Sequence, residues 1–318
     1  MRKENYNFAL IGAAGYIAPR HMQAIKDTDN QLIAALDKFD SVGIIDSFFP
    51  NADFFTETER FDRHLDKLRR KGEHKIDYVS ICSPNYLHDS HIRLSLRNDA
   101  HAICEKPLVL NPWNIEALKE LEQETQKKIY TVLQLRHHPS IIALKEQIEK
   151  NPDKIYDIDL TYITGRGNWY AFSWKGEASK SGGIATNIGI HFFDMLTWIF
   201  GKTVKQTVHL NQENKAAGFM QLEKANVRWF LSIDAEDLPE EIKKKQQRTY
   251  RSIRVQEEEI EFSGGFTDLH TVTYQEILKG KGYGLDAAKN SINTVYEIRN
   301  AKTQALTNEY HTFIKKIK

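Results

Sequence analysis

The stretch that most limits the possible folds is Asn7 to Ala18, where the apolar run Asn7-Phe8-Ala9-Leu10-Ile11 enters Gly12-Ala13-Ala14-Gly15-Tyr16-Ile17-Ala18. The run reads as a buried parallel strand, and the G-x-x-G-x-x-A turn opens into a helix expected over Tyr16 to Asp27. Gly12 makes the tight turn, Gly15 lets the backbone approach a pyrophosphate, and Ala18 keeps the helix close to the sheet in place of a third glycine. The free N–H groups of the helix start suit phosphates, which makes Gly12, Ala13, Ala14, Gly15, Tyr16 and Ile17 candidate dinucleotide contacts. A second strand, Gln31 to Leu36, ends at Asp37, nineteen residues after Ala18. An acid there accepts the adenosine ribose hydroxyls and repels a 2′-phosphate, which favours NAD over NADP. Lys38 beside it leaves that preference slightly open.

Strands and helices continue to alternate up to residue 135. Helices are expected over Thr58 to Lys71 (with Gly72 as the stop), 86–98 and 114–127, and strands over Ile76 to Cys82, Ala100 to Glu105 and Lys128 to Leu135. Such alternation requires a doubly wound parallel sheet. After Leu135 the grammar changes. A helix over Ile141 to Lys150 precedes period-two runs at Ile155–Thr164, Thr203–Leu210, Ala216–Leu222, Ala225–Asp234, Arg248–Val255 and Glu258–Ser263, with short turns between them. The expected organisation is therefore α/β over residues 1–135, followed by an α+β domain over 136–318 with a large, mostly antiparallel open sheet.

The composition excludes several classes of function. With 44 basic and 43 acidic residues, the net charge of +1 offers no footprint for nucleic acid or a membrane surface. No run approaches the ~18 apolar residues of a membrane span, and Met1 to Phe8 has no apolar leader core. The two cysteines, Cys82 and Cys104, fall in predicted buried strands without disulfide or zinc spacing. A cytoplasmic location is expected.

Three further stretches carry candidate chemistry. Glu105-Lys106-Pro107 places a carboxylate, an ammonium and a rigid proline at a strand's carboxyl end, where open α/β sheets bind ligands. In isolation it also reads as a salt-bridged strand end. At the end of the preceding strand, Ser83-Pro84-Asn85 with His88 suits contacts around a nicotinamide ribose, though Asn85 and His88 also read as a cap and a helix-surface group. In the second half, Arg166 to Gly176 sets Trp169, Tyr170, Phe172 and Trp174 among Arg166 and Lys175, suited to ring stacking and to pairing with a diphosphate or carboxylate. It also suits an aromatic-anchored surface loop. Farther on, Gly182-Gly183 leads into a helix where Asn187, His191 and Asp194 recur at spacings of four and three and share a face. The spacing lacks a third metal ligand, so no metal is expected.

Taken together, the glycine loop, Ser83-Pro84-Asn85, Glu105-Lys106-Pro107 and Gly182-Gly183 with Asn187, His191 and Asp194 resemble the glucose–fructose oxidoreductase/inositol dehydrogenase/MocA family over nearly the whole chain. Within it, Arg136-His137-His138-Pro139, Trp169-Tyr170 with Ser173 to Gly176, and Arg248 to Ile253 look like the branch of UDP-N-acetylglucosaminuronate 3-dehydrogenases of the WlbA/WbpB type. The resemblance implies a Rossmann domain with NAD and oxidation at C3 of UDP-2-acetamido-2-deoxy-D-glucuronate, for O-antigen sugar assembly. It further implies a Lys106–Pro107 cis bond, a homo-oligomer (dimer or tetramer) and a recycling oxidant such as 2-oxoglutarate. By position, Lys106 and His191 match the family's catalytic pair, with Glu105 steadying the lysine ammonium. Many relatives have Asp where Asn187 stands, so the proton path rests on His191 and Lys106, and which of the two takes the proton stays open. Under this resemblance the cofactor contacts extend to Glu105, Lys106, Gln134, Trp169 and Tyr170. The substrate contacts are Lys106, Arg166, Lys175, Asn187, His191, Tyr250 and Arg251. The rival expectations are a dehydrogenase of a free sugar or cyclitol, and a non-catalytic NAD-binding sensor.

Overall fold

Short apolar runs that are buried on both faces form the first sheet. In the computed structural model, which describes residues 5–260, 268–306 and 309–316, its strands are β1 (Asn7–Ile11), β2 (Gln31–Leu36), β3 (Asp53–Phe55), β4 (Tyr78–Ile81), β5 (His101–Cys104) and β6 (Ile129–Thr131). They lie in the order β3-β2-β1-β4-β5-β6, with every pairing parallel. The order reverses direction between β1 and β4, and that switch point is where doubly wound sheets bind dinucleotides. Helices α1 (Ala18–Asp27), α2 (Thr58–Lys71), α3 (His88–Arg97) and α4 (Pro112–Thr125) alternate with these strands.

Most of this was expected, and the departures have local causes. α1 starts at Ala18 rather than Tyr16, with Pro19 in its first turn, where a missing N–H costs nothing. β3 escaped the sequence reading because three residues carry no usable periodicity. The strand expected over Lys128 to Leu135 shrinks to Ile129–Thr131, and a 3₁₀ turn follows at Gln134–His137.

The chain forms two compact units, and the first does not end at residue 135. It comprises the described residues up to Gln134 together with Asp268 to Lys289. The sequence reading had given that second segment to the C-terminal domain. Packing explains the correction: Tyr274 and Ile277, on the helix Leu269–Leu278, are buried in one core with Phe8, Leu10, Met22, Ile25 and Ile103.

The second unit holds β7 (Tyr156–Thr164), β8 (Thr203–Asn211), β9 (Lys215–Leu222), β10 (Ala225–Ser232), β11 (Thr249–Val255) and β12 (Glu258–Glu259), in the order β12-β11-β7-β10-β9-β8. Only the β7–β10 pairing is parallel. The last strand, expected over Glu258–Ser263, is Glu258–Glu259, and positions 261–263 of that expectation lie outside the described residues. Period-two alternation gives the sheet two faces. On one, the helix Ile190–Phe200 packs Phe192 on Tyr162 and Phe193 on Trp229, with ring centroids 4.8 and 5.4 Å apart. The other gathers Ile163, Ala217 and Phe230 with Tyr250 and Phe313.

The turn at Gly12 is tight: its φ is +90° and an added Cβ would lie 2.7 Å from the Cys82 carbonyl oxygen. Gly12→Ala should therefore lower stability in urea by roughly 1–3 kcal/mol. Gly43→Ala, where a Cβ meets nothing within 4 Å, should leave the midpoint unchanged.

Candidate active site

β5 delivers Glu105 to the interior, only 8% exposed, and a carboxylate there must be paired. Its Oε1 accepts from His21 Nε2 and from His270 Nε2, each at 3.0 Å. Its Oε2 accepts the Lys106 main-chain N–H at 3.2 Å. Burial works against the charge, yet the hydrogen bonds from His21 and His270 hold this carboxyl well below the usual range. His21 is pushed the other way: burial lowers its pKa, so the ring is neutral. Its Nδ1 meets the Tyr274 hydroxyl at 2.7 Å, and that hydroxyl meets Ser80 Oγ at 2.5 Å. One consistent assignment has Ser80 donating to Tyr274, Tyr274 to His21, and His21 to Glu105. The Glu105 expected to steady the lysine ammonium thus anchors the lysine's main chain from within. Lys106 is half-buried, and its bond to Pro107 is cis, as the resemblance implied.

His21, Glu105 and His270 are also the grouping among the described residues that could hold a metal ion, with ligand atoms within 4.8 Å of one another. An anion receiving two N–H donors at 3.0 Å is already satisfied without one. None of His21, Ser80, His270 or Tyr274 was a sequence candidate. Their partners lie as far as 253 positions away, so no local pattern announces them.

At the end of β4, Ser83 is buried and its Oγ meets His91 Nδ1 at 2.8 Å. Asn85 is buried beside it. His88, expected to reach a cofactor, is fully buried, and both its ring nitrogens meet main-chain carbonyls, Pro107 O at 2.7 Å and Ser83 O at 2.8 Å. It clamps the turn after β4 to the turn after β5.

The glycine loop fits a dinucleotide. At Gly12 a Cβ would strike the Cys82 carbonyl, and at Gly15 it would lie 3.0 Å from the Gly12 oxygen, so the backbone is as bare as a pyrophosphate requires. Asp37, at the end of β2, accepts the Ala14 N–H on Oδ2 and the Phe39 N–H on Oδ1. Two lone-pair sites remain for ribose hydroxyls. Tyr16 is exposed, while Ala13 is buried in the core. Gln134 Oε1 is buried and has no hydrogen-bond partner, an acceptor available to a bound amide or hydroxyl.

In the second unit, the residues from Ala185 to Gly189 form a π-helical turn ahead of the helix Ile190–Phe200. Such turns recur at functional sites. Asn187, within it, donates to the Tyr170 hydroxyl at 2.6 Å. Burial raises the Tyr170 pKa, opposed by Asn187 and by the Arg166 guanidinium. Arg251 stacks over Tyr162 at 5.5 Å, on the sheet face that the His191 helix covers. The structure therefore gathers Arg166, Tyr170, Asn187 and Arg251 around tyrosine rings. Lys175 lies over Trp174 at 4.2 Å and over Trp169 at 5.9 Å. His191 is half-buried on the helix.

Two expectations do not hold. Tyr250 precedes Arg251 by one residue and therefore points through the sheet to the opposite face, onto Phe313. Asp194 does not join the His191 surface group, because it is 2% exposed and binds Arg136 through two hydrogen bonds of 2.9 and 2.8 Å. Burial keeps its pKa above the usual aspartate value even with Arg136 opposing.

A sheet of this order, a glycine loop with a bare backbone and an acid following β2 define a dinucleotide-binding Rossmann domain. Residues 6–133 match the model of the oxidoreductase family with an NAD-binding Rossmann fold, and residues 145–243 match that family's C-terminal alpha/beta domain. The chain belongs to this family, the glucose–fructose oxidoreductase/inositol dehydrogenase/MocA oxidoreductases. It is 52% identical to a WlbA (WbpB) dehydrogenase from Thermus thermophilus solved with NAD and alpha-ketoglutarate, over 97% of this chain and 99% of that one, with a TM-score of 0.94. A structure of WlbA (WbpB) dehydrogenase from Thermus thermophilus with NAD and UDP-GlcNAcA is 51% identical over the same shares, 97% and 99%, with a TM-score of 0.93. An inositol 2-dehydrogenase from Rhizobium meliloti (strain 1021) is 26% identical over 196 residues, covering 61% of this chain and 55% of that protein. The chain spans about half the length of the curated relatives it matches.

Two predictions follow from the first unit's buried histidines. Burial, with His88 nearby, lowers the His91 pKa to about 4. Between about pH 6.5 and that value the unfolded chain binds a proton that the folded one does not. His91 should therefore contribute a fall in stability on acidification of about 1.4 kcal/mol per pH unit in this window, and urea melts of His91→Gln should show a slope shallower by that amount than wild type. Chelation with EDTA should leave the melting temperature unchanged, since hydrogen bonds alone account for the Glu105 cluster.

Proposed function

We propose that the chain oxidises the C3 hydroxyl of UDP-2-acetamido-2-deoxy-D-glucuronate to the 3-keto sugar with NAD. The observation that carries this reading is the 51% identity, over nearly the full length of both chains, to a dehydrogenase solved with NAD and UDP-GlcNAcA. NAD supplies the hydride acceptor when bound. The chain's own residues do the rest. Gly12, Gly15 and Asp37 seat the dinucleotide, and Gln134, Ser83 and Asn85 stand at or next to the strand ends that border it. Removing hydride from a carbinol carbon needs alkoxide character at its oxygen, so a fixed cation there lowers the barrier. Lys106 fills that role, while His191 receives the hydroxyl proton. Arg166 and Arg251 pair with the acidic groups of the nucleotide sugar, and the aromatic residues about them stack on its rings.

The likeness to a structure that also holds alpha-ketoglutarate supports a second half-reaction. In it, 2-oxoglutarate takes the hydride back from NADH and a proton to become the 2-hydroxy acid, so that the cofactor turns over in place. The 3-keto sugar is then available for amination on the way to O-antigen, in the cytoplasm, and the working form is a homo-oligomer.

The reading is tested by incubating the protein with UDP-N-acetylglucosaminuronate and 2-oxoglutarate, with mass spectrometry of both products. The expected result is a sugar nucleotide lighter by two hydrogens and an equal amount of 2-hydroxyglutarate. Oxidation of free sugars or cyclitols without affinity for UDP would support the rival dehydrogenase. NAD binding with no turnover of any polyol would support the sensor. Lys106→Met and His191→Asn should each reduce kcat by roughly 100-fold or more with NAD still bound.

A further inference from the structure

Tyr170 is 4% exposed, and its hydroxyl oxygen accepts the Asn187 side-chain N–H at 2.6 Å. A phenol that accepts one hydrogen bond still has its own proton to donate. Among the described residues no acceptor meets that proton. The phenol keeps it at neutral pH, because burial raises the Tyr170 pKa even with Asn187 and Arg166 opposing. Arg166 lies near enough to act on the hydroxyl through its charge. Its side chain is exposed and makes no hydrogen bond or ion pair with any described residue. A guanidinium and a hydroxyl proton are thus brought near each other with nothing to receive either, an arrangement that an anion completes. We propose that Tyr170 and Arg166 form a carboxylate subsite, in which one carboxylate oxygen takes the Tyr170 O–H and the other takes a guanidinium N–H of Arg166. The inference deepens the proposed dehydrogenase function and rests on the two ligands of that reading.

A carboxylate is the acidic group that the two ligands share. UDP-N-acetylglucosaminuronate carries one on its sugar, and 2-oxoglutarate carries two and no phosphate. A single anion site that serves both half-reactions must therefore be built for a carboxylate. The backbone that presents the two donors is held in advance. The Arg166 N–H donates to the Ile233 carbonyl at 2.9 Å, and Ser173 Oγ donates to the Tyr170 carbonyl at 2.8 Å. Such preorganisation lowers the cost of binding. Asn187, which fixes the hydroxyl, stands in the π-helical turn four residues ahead of His191. Anchoring a carboxylate here orients either ligand in one frame with the proton acceptor. A sugar with a hydroxymethyl group in place of the carboxylate leaves the Arg166 charge without its partner, so the subsite selects the sugar acid. This assignment departs from the cofactor contact that the resemblance implied for Tyr170.

Calorimetric titration of the full chain with NADH bound, so that no oxidation occurs, tests the subsite with two sugar nucleotides. Tyr170→Phe removes only the hydroxyl. It should raise the Kd for UDP-N-acetylglucosaminuronate roughly 10-fold or more and leave the Kd for UDP-N-acetylglucosamine unchanged. An equal loss for both ligands overturns the carboxylate assignment, and no loss for either overturns the subsite. Arg166→Gln, at an exposed position, should give the same pattern and decides the matter if Tyr170→Phe does not fold. In turnover with the sugar acid, the KM for 2-oxoglutarate should rise by a similar factor in both variants, and an unchanged KM overturns the shared use. Failure of the underlying reading is separable: a wild-type chain that binds neither sugar nucleotide overturns that reading and the subsite with it. Wild-type binding of the sugar acid with unaltered variants overturns the subsite alone.

Discussion

A carboxylate buried at the end of a parallel strand is the constraint on which the first unit depends. Glu105 has little water to solvate it, and its charge is sustained by two imidazole N–H groups and one peptide N–H. Each donor comes from a different part of the chain: α1, the helix Leu269–Leu278 and the strand end itself. Breaking such an arrangement from one side leaves an uncompensated buried charge, typically a loss of about 3–5 kcal/mol. The same bonds that stabilise the unit therefore fix the backbone of Lys106. Stability and positioning are one interaction here.

The second unit solves a different problem. An open sheet needs one face covered by apolar contact, and Phe192 and Phe193 supply that from a single helix. The same helix is preceded by a π-helical turn that carries Asn187, and its Asp194 is committed to Arg136. Polar residues at helical spacing thus divide between a structural ion pair at Asp194 and a buried hydrogen bond from Asn187 to Tyr170. Around Tyr162 and Tyr170, guanidinium groups lie near aromatic rings in a way that suits an anionic, ring-bearing ligand.

Much of this was legible in the sequence, for physical reasons that can be named. The parallel sheet showed in unbroken apolar runs, the dinucleotide loop in Gly12 and Gly15, and the antiparallel sheet in period-two strands such as Val227 to Ile233. Individual roles were less legible. Tyr250 and Arg251 are neighbours in the chain but lie on opposite faces of a strand, which only the register reveals. His88 and Asp194 carry the residue types of a site, yet both are consumed by backbone or ion-pair contacts. His21, His270, Tyr274 and Ser80 left no trace, since a hydrogen-bond network across hundreds of positions has no period to detect.

The return of the chain to the first unit bears on how the molecule can be divided. Because Tyr274 and Ile277 fill a core otherwise built by residues before Gln134, no single cut separates a complete cofactor-binding half. A fragment ending near the apparent boundary would expose the apolar floor beneath α1 and leave Glu105 with one imidazole fewer. The cofactor unit is completed only after the helix Leu269–Leu278 has been made. During synthesis, its final closure must wait until most of the second sheet has been made.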